Sequence, residues 1–303
     1  MSKQFSQSEH FLLSLAVPGA KFEYQGMDCT ILISGKPRSS SGEPKTDIYI
    51  EYSEEKSRIA KELKISFKQK NADFLENKIT KERAEQILGS DWSLKINKSL
   101  QILKDNFHTR KLIFKSKSNK TMKGSFTLGW KFELLNKPGG ELSGELILSK
   151  SEIINIFAGT NLDEDKKNSR VGSKIVLNSG VASHILNHDV DKIKTIQDFI
   201  DNIISIESYI SNNKNSKIFF ACKALNYRSF EKKFDGNRPL SVFVDWSITE
   251  NKLKGDIILD KPLQYKGNSV YEKLKHSLDV LNISTTDDIS EVNVLNYKSK
   301  VFE

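Results

Sequence analysis

Apolar side chains along this chain recur with two periods, one helical and one extended. In residues 6–17, SQSEHFLLSLAV, the spacing predicts a short helix that Pro18-Gly19 closes. Residues 21–35, KFEYQGMDCTILISG, are rich in aromatic and β-branched side chains and predict one long extended segment. The loop KPRSSSGEPK (36–45) ends it. Two further strands are expected in TDIYIEYSE (46–54) and ELKISFKQ (62–69), joined by a charged turn around SEEKSR. From 73 to 106, in FLENKITKERAEQIL and WSLKINKSLQILKDNF, apolar residues fall three or four apart and predict helices. KLIFKS (111–116) reads as another strand. The predicted order is therefore helix, three strands, helices, strand.

Beyond a polar basic loop, SKSNKTMKG, the stretch SFTLGWKFELL alternates, with Phe126, Leu128, Trp130, Phe132 and Leu134 on one face. KPGG turns the chain, and ELSGELILS (141–149) is expected to return as the second arm of a hairpin. Ile193, Ile196, Ile200, Ile203 and Glu207 line one side of residues 190–210, which predicts a long amphipathic helix. KIFFACKAL, PLSVFVDWSI and KLKGDIILD then read as strands, and VYEKLKHSLDVL as a last helix. The pattern predicts an α/β fold: an N-terminal α/β unit over 1–117, followed by a mixed α+β region over 118–303.

Composition narrows the options. With 37% apolar and 28% charged residues in 303, a soluble globular protein is expected, and no apolar run approaches the roughly 18 residues needed to cross a bilayer. FLLSLAVPGA has the outline of a secretory leader. However, its apolar run LLSLAV is short, and Glu9 and His10 stand where a basic flank belongs, so a first helix is the better reading. Two distant cysteines, Cys29 and Cys222, with no CxxC or Cys/His cluster, suit a reducing cytoplasm and exclude a structural zinc site. Forty-seven basic against 39 acidic residues leave +8, a surplus that favours polyanionic partners.

The strands at 46–54 and 62–69 bring candidate chemistry. Side chains alternate across a strand, so Asp47, Tyr49 and Glu51 share one face, and Lys64, Ser66 and Lys68 share the face opposite Leu63, Ile65 and Phe67. If the strands are neighbours, Asp47 meets Ser66 and Lys68 at a sheet edge. A carboxylate beside an ammonium suits metal-assisted phosphodiester hydrolysis. The acid holds a divalent ion, commonly Mg²⁺, and the lysine positions the attacking water and offsets charge on phosphorus. The Phe67 carbonyl lies between the functional side chains and offers a further oxygen. Glu51 is on the right face to complete the metal site, with Glu9 and Glu43 as alternatives.

Pro44-Lys45-Thr46-Asp47 followed by Ser66-Phe67-Lys68 resembles the PD-(D/E)xK nuclease superfamily, which includes many restriction endonucleases. That pattern runs Pro-Asp, a spacer, then acid-x-Lys on the next strand; Lys68 stands 21 positions after Asp47. The resemblance covers about a third of the chain and implies a restriction-endonuclease-like core. It implies a Mg²⁺-dependent endonuclease for double-stranded DNA, a type II restriction enzyme by subtype, with Asp47, Ser66 and Lys68 catalytic and Asp47, Phe67 and Glu51 around the metal. A palindromic target would make a two-fold homodimer natural. Ser66 departs from the family, since an acid usually stands there. A shifted reading, Lys68-Gln69-Lys70, makes Lys70 the catalytic lysine but leaves no acid or serine two residues before it. The competing readings are a non-catalytic DNA-binding or phage/defence-related protein on a degenerate nuclease fold, and an interaction scaffold indifferent to nucleic acid.

Other candidates are weaker. His184 and His188 are four apart, which on a helix would align them for a metal, but no HExxH glutamate accompanies them. Lys115, Lys117, Lys120 and Lys123 offer a basic loop for DNA backbone, and Asn226, Tyr227 and Arg228 with Asp235 to Pro239 offer groups that read or stack on bases. No Walker loop, GxGxxG, GxSxG or kinase signature is present.

Overall fold

The first helix buries a carboxylate along with its apolar stripe. In the computed structural model, which describes residues 2–55, 57, 59–68, 74–77, 79–212 and 217–303, α1 (Ser2–Leu15) turns Leu12 and Glu9 inward, and Ala16 follows on the same side. The expected single extended segment is a hairpin, β1 (Lys21–Tyr24) and β2 (Met27–Gly35). Gln25 and Gly26 both have positive φ, 53° and 75°, the backbone that a two-residue hairpin turn requires. β3 (Ile48–Glu54) pairs antiparallel with β2 and with β4 (Ala60–Phe67), in a register that sets Ile48 against Ile65 and Ile50 against Leu63.

The next stretch begins with a strand, β5 (Phe74–Glu76), before α2 (Lys81–Leu88), α3 (Trp92–Ile102) and α4 (Lys104–His108). Thr80 starts α2 by accepting the Arg83 amide, and Gly89 ends it. β6 (Ile113–Phe114), β7 (Ser125–Leu135) and β8 (Ser143–Leu146) follow. Every residue of β7 except Lys131 is buried, so both of its faces are covered and it is a central strand. The expected hairpin does not close, because β8 does not pair with β7.

Helices α5 (Lys150–Ala158) and α6 (Glu164–Lys167) lead to a small hairpin, β9 (Arg170–Val171) and β10 (Lys174–Ile175), and to β11 (His184–Leu186). β11 lies parallel to β4, with Ile185 against Ser66 and Leu186 against Phe67. The long amphipathic helix expected over 190–210 is broken. A capping box between Thr195 and Asp198 starts α7 (Ile196–Asp201). β12 (Ile203–Ser205) then pairs with β11, and α8 (Ile206–Asn212) follows. Its β-branched Ile203 and Ile204 satisfy an open sheet edge that a continuous helix would leave bare. The sheet runs β1-β2-β3-β4-β11-β12. Phe67, Ile48, Ile50 and Ile65 pack on Leu12 from α1 and on Phe199 and Ile200 from α7.

The last third supplies β13 (Ile218–Arg228), β14 (Lys233–Phe234), β15 (Pro239–Leu240), β16 (Val242–Thr249), β17 (Lys252–Ile258), β18 (Tyr265–Lys266), α9 (Gly267–Val280), α10 (Tyr297–Lys300) and β19 (Val301–Phe302). β13 pairs with both β7 and β8, which is why those two are not neighbours. The second sheet runs β14-β13-β7-β16-β17, with β5, β6, β8 and β19 attached beside it. Trp246 is buried there, its indole N–H donating to the Thr127 carbonyl at 3.0 Å.

The mixed α/β class holds, but the division near residue 117 does not. One compact unit comprises Met1–Asp73 with Leu148–Ser216, and the other Phe74–Ile147 with Lys217–Glu303. The strand at 113–114 belongs to the second unit, pairing with β7 and β19. The parallel neighbour of β4 is instead β11, which lies far along the chain. A parallel neighbour needs a long crossover, and here that crossover carries an entire part of the other unit. Among the described residues, no helix is long and apolar enough to cross a membrane.

Candidate active site

Asp47 sits just before β3, where its backbone N–H donates to the Ile65 carbonyl at 2.9 Å. Its Oδ2 accepts the Phe67 amide at 2.7 Å and faces the Ser66 hydroxyl at 3.4 Å. One carboxylate oxygen thus ties the head of β3 to the end of β4. Lys68, the next residue, donates its amide to the Leu186 carbonyl at 2.9 Å, so the parallel strand fixes its position. Its ammonium lies close enough to Asp47 to favour the ionised carboxyl.

Two more charges complete the cluster. Lys36, one residue past β2, places Nζ 2.5 Å from Glu9 Oε2 on α1. Glu9 is only 2% exposed, and its Oε1 is a buried acceptor without a hydrogen-bond partner. Part of Asp47 reaches solvent, but its carboxyl is enclosed by protein. Burial therefore dominates and pushes the Asp47 carboxyl up to about 6. Lys68 opposes that rise, the like charge of Glu9 adds to it, and the Phe67 amide and Lys36 oppose it. Glu9, Lys36, Asp47 and Lys68 make a net-neutral quartet gathered from α1, the end of β2, the head of β3 and the end of β4.

The loop before Asp47 is pinned from behind. The Lys45 and Thr46 amides both donate to the Gly180 carbonyl, at 3.0 and 3.2 Å. A Cβ at Gly180 would stand 1.7 Å from the Lys166 carbonyl oxygen and 2.9 Å from Pro44, so only glycine lets this segment approach the Pro-Lys-Thr-Asp run.

Asp47, Ser66, Phe67 and Lys68 are thus brought together, whereas Glu51 is not. Glu51 lies four residues further along β3, about 13 Å at the usual strand rise. There the Tyr49 hydroxyl donates to Glu62 at 2.7 Å and lies 3.4 Å from Glu51. The carboxylate that faces Asp47 is Glu9. Glu43 is exposed on its loop, and Lys70 lies outside the described residues. Lys36 has no sequence signature. Glu9 has one: an acid three residues before Leu12, on a helix face that must be buried.

Several of the remaining candidates take structural roles, while Lys117 and Lys120 are exposed. His184 is on β11 rather than on a helix; its Nε2 meets the Tyr24 hydroxyl at 3.0 Å and its Nδ1 the Ser183 hydroxyl at 2.8 Å. It therefore makes no helical pair with His188. Lys115 donates to the Ile289 carbonyl at 2.9 Å, and Lys123 pairs with Asp287 at 3.3 Å. Asp235 accepts the Asn226 amide at 3.0 Å and clamps the β13–β14 turn, while Tyr227 is buried. Among the described residues, no group of three or more His, Cys, Asp or Glu side chains is placed to hold a metal ion. The available oxygen donors here are two carboxylates and main-chain carbonyls.

Two outcomes follow from this geometry. Asp47 is charged in the folded protein only above about pH 6 but above about pH 4 in the unfolded chain, so its contribution to stability is present below pH 4 and is lost as pH rises through 6. Asp47→Asn should therefore stabilise the metal-free protein by ~2 kcal/mol at pH 7.5 and leave it nearly unchanged at pH 4, as read by urea denaturation in chelator. Equal effects at both pH values would contradict the buried-charge account. Gly180→Ala should cost about 1–3 kcal/mol through overpacking, and hydrogen exchange should show the amides of Lys45 and Thr46 losing protection first. Comparison with protein-family models, with curated proteins and with solved structures gives no match.

Proposed function

We propose that this chain is a Mg²⁺-dependent endonuclease that hydrolyses phosphodiester bonds of double-stranded DNA, in the manner of a type II restriction enzyme. The observation that carries the reading is that Asp47 and Lys68, at the ends of neighbouring strands, lie near Glu9 of α1, whose Oε1 is buried without a hydrogen-bond partner. A buried acceptor with no donor is costly unless something satisfies it, and a hard divalent cation prefers such oxygens. The donor set therefore fits Mg²⁺: Glu9, Asp47 and the Phe67 carbonyl would hold it. When bound, the ion would neutralise charge on the phosphate and acidify a water.

The chain's own residues have distinct tasks in this reading. Lys68 holds the attacking water toward phosphorus and offsets the charge that builds there. Ser66 replaces the second acid of the PD-(D/E)xK pattern and acts through Asp47, whose Oδ2 its hydroxyl approaches. Support also comes from topology, an antiparallel β2-β3-β4 run followed by a parallel step to β11, and from the +8 charge. Two buried free cysteines, Cys29 and Cys222, suit a reducing cytoplasm. A homodimer suits a palindromic target. The second reading, a DNA-binding protein on a nuclease-like fold without cleavage, is favoured by Ser66 and by the described residues bringing two carboxylates, not three, to the site.

Purified protein with Mg²⁺ and supercoiled plasmid should convert the plasmid to nicked or linear forms. Asp47→Ala, Lys68→Ala and Glu9→Gln should each lower the rate by roughly 100-fold or more, with circular dichroism unchanged. Because the metal must displace the proton from a carboxyl that burial raises, the apparent Mg²⁺ affinity of the free protein should strengthen as pH rises through about 6. Cutting that persists unchanged in the Asp47 and Lys68 variants would overturn the assignment. Salt-sensitive binding of plasmid without any cutting would favour the second reading.

A further inference from the structure

Arg38 and Arg170 are held side by side, and among the described residues nothing neutralises them. The Arg38 amide donates to the Arg170 carbonyl at 3.0 Å, and the Arg170 amide returns the bond at 2.8 Å. Residues paired in this way across an antiparallel bridge project to the same side, with Cβ atoms about 5 Å apart. Both arginines are exposed, and neither side chain makes an ion pair or hydrogen bond among the described residues. Like charges directly opposed on a ladder are unfavourable.

The nearby acids are already engaged. Asp163 pairs with Lys166 at 3.5 Å and Glu164 with Lys167 at 3.1 Å. Asp165 accepts the Ser40 hydroxyl and the Ser41 amide, both at 3.2 Å, and so anchors the Arg38 loop. The pair is also tied through the backbone to segments of the candidate active site. Arg38 is two residues from Lys36, which grips Glu9. Arg170 leads the β9–β10 hairpin, where Ile175 opposes it and Lys174 adds another exposed cation. Val171 packs on Gly35, where a Cβ would stand 3.1 Å from its methyl. The hairpin's return leg reaches Gly180, which carries the Lys45 and Thr46 amides.

We infer that Arg38 and Arg170 form a phosphate clamp that grips the DNA backbone next to the phosphodiester to be cut. This rests on the nuclease reading and names how the same site holds its substrate. A guanidinium presents paired donors that match phosphate oxygens, and two neighbouring guanidiniums suit a polyanion, which offers more than one anionic group. The clamp positions the strand, so it contributes affinity without sequence preference.

The test uses fluorescence anisotropy of a labelled duplex, with Ca²⁺ in place of Mg²⁺, for the full-length wild type, Arg38→Ala, Arg170→Ala and the double variant. Each single change should weaken binding about ten-fold at low salt. Each should also flatten the slope of log affinity against log salt by about one. The Arg38→Lys protein should recover part of the affinity. Melting temperatures of the free variants should be unchanged or higher, because a repulsion is removed. Wild-type affinity and slope in the double variant would overturn the clamp while leaving the nuclease reading intact. Variants that melt lower yet bind normally would also overturn it, by showing the arginines to be structural. A wild type that binds no duplex would remove both.

Discussion

The hydrogen bond from the Phe67 amide to Asp47 holds the candidate site together. It ties the start of one strand to the end of the next at the point where the sheet passes from antiparallel to parallel pairing. It does so with a carboxylate that burial pushes toward its neutral form. Isolated buried charge is expensive, and a pair is tolerated only when its partners are close and oriented. Glu9 and Asp47 bring two negative charges to the same place, and Lys36 and Lys68 supply two positive ones. Removing one lysine leaves an uncompensated carboxylate, which is why the four are better regarded as a unit than as independent side chains.

The fold earns this arrangement through short connections and close backbone approach. α1 lays Leu12 on the apolar face of the first sheet, and Glu9, one turn earlier, is carried to the rim. Gly180 lets the segment after α6 approach the loop before Asp47 closely enough to receive two amide hydrogen bonds. β11 takes its register from β4 and holds Lys68 by its main chain. None of these contacts requires the second sheet, whose core around Phe126, Trp130 and Trp246 is closed by its own strands.

What the sequence makes legible follows from how local each signal is. Alternation in 46–54 and 62–69 places Ile48, Ile50, Leu63, Ile65 and Phe67 on one buried face, so Asp47, Ser66 and Lys68 meet as expected. Face alone does not give distance along a strand, and so Glu51 shares the side but not the site. Spacing from Leu12 marks Glu9 for burial, but its place beside Asp47 is a tertiary contact that spacing does not give. Gln25-Gly26 sits inside a run of strand-forming residues, where a tight turn leaves little compositional trace. Over 190–210 the isoleucines fit a helical period, yet the Thr195 cap and an open edge beside β11 divide the segment. The choice of β11 over 113–114 as partner of β4 is a tertiary outcome decided by long-range packing.

In the proposed enzyme Glu9 and Asp47, from a helix and a strand head, form one divalent-cation site. Titration of the metal-free protein with Mn²⁺, followed by the loss of its free electron paramagnetic signal, tests this without any substrate. One binding site is expected in the wild type, abolished in both Glu9→Gln and Asp47→Asn at pH 7.5. Binding retained in both variants, or none in the wild type at millimolar Mn²⁺, would contradict it.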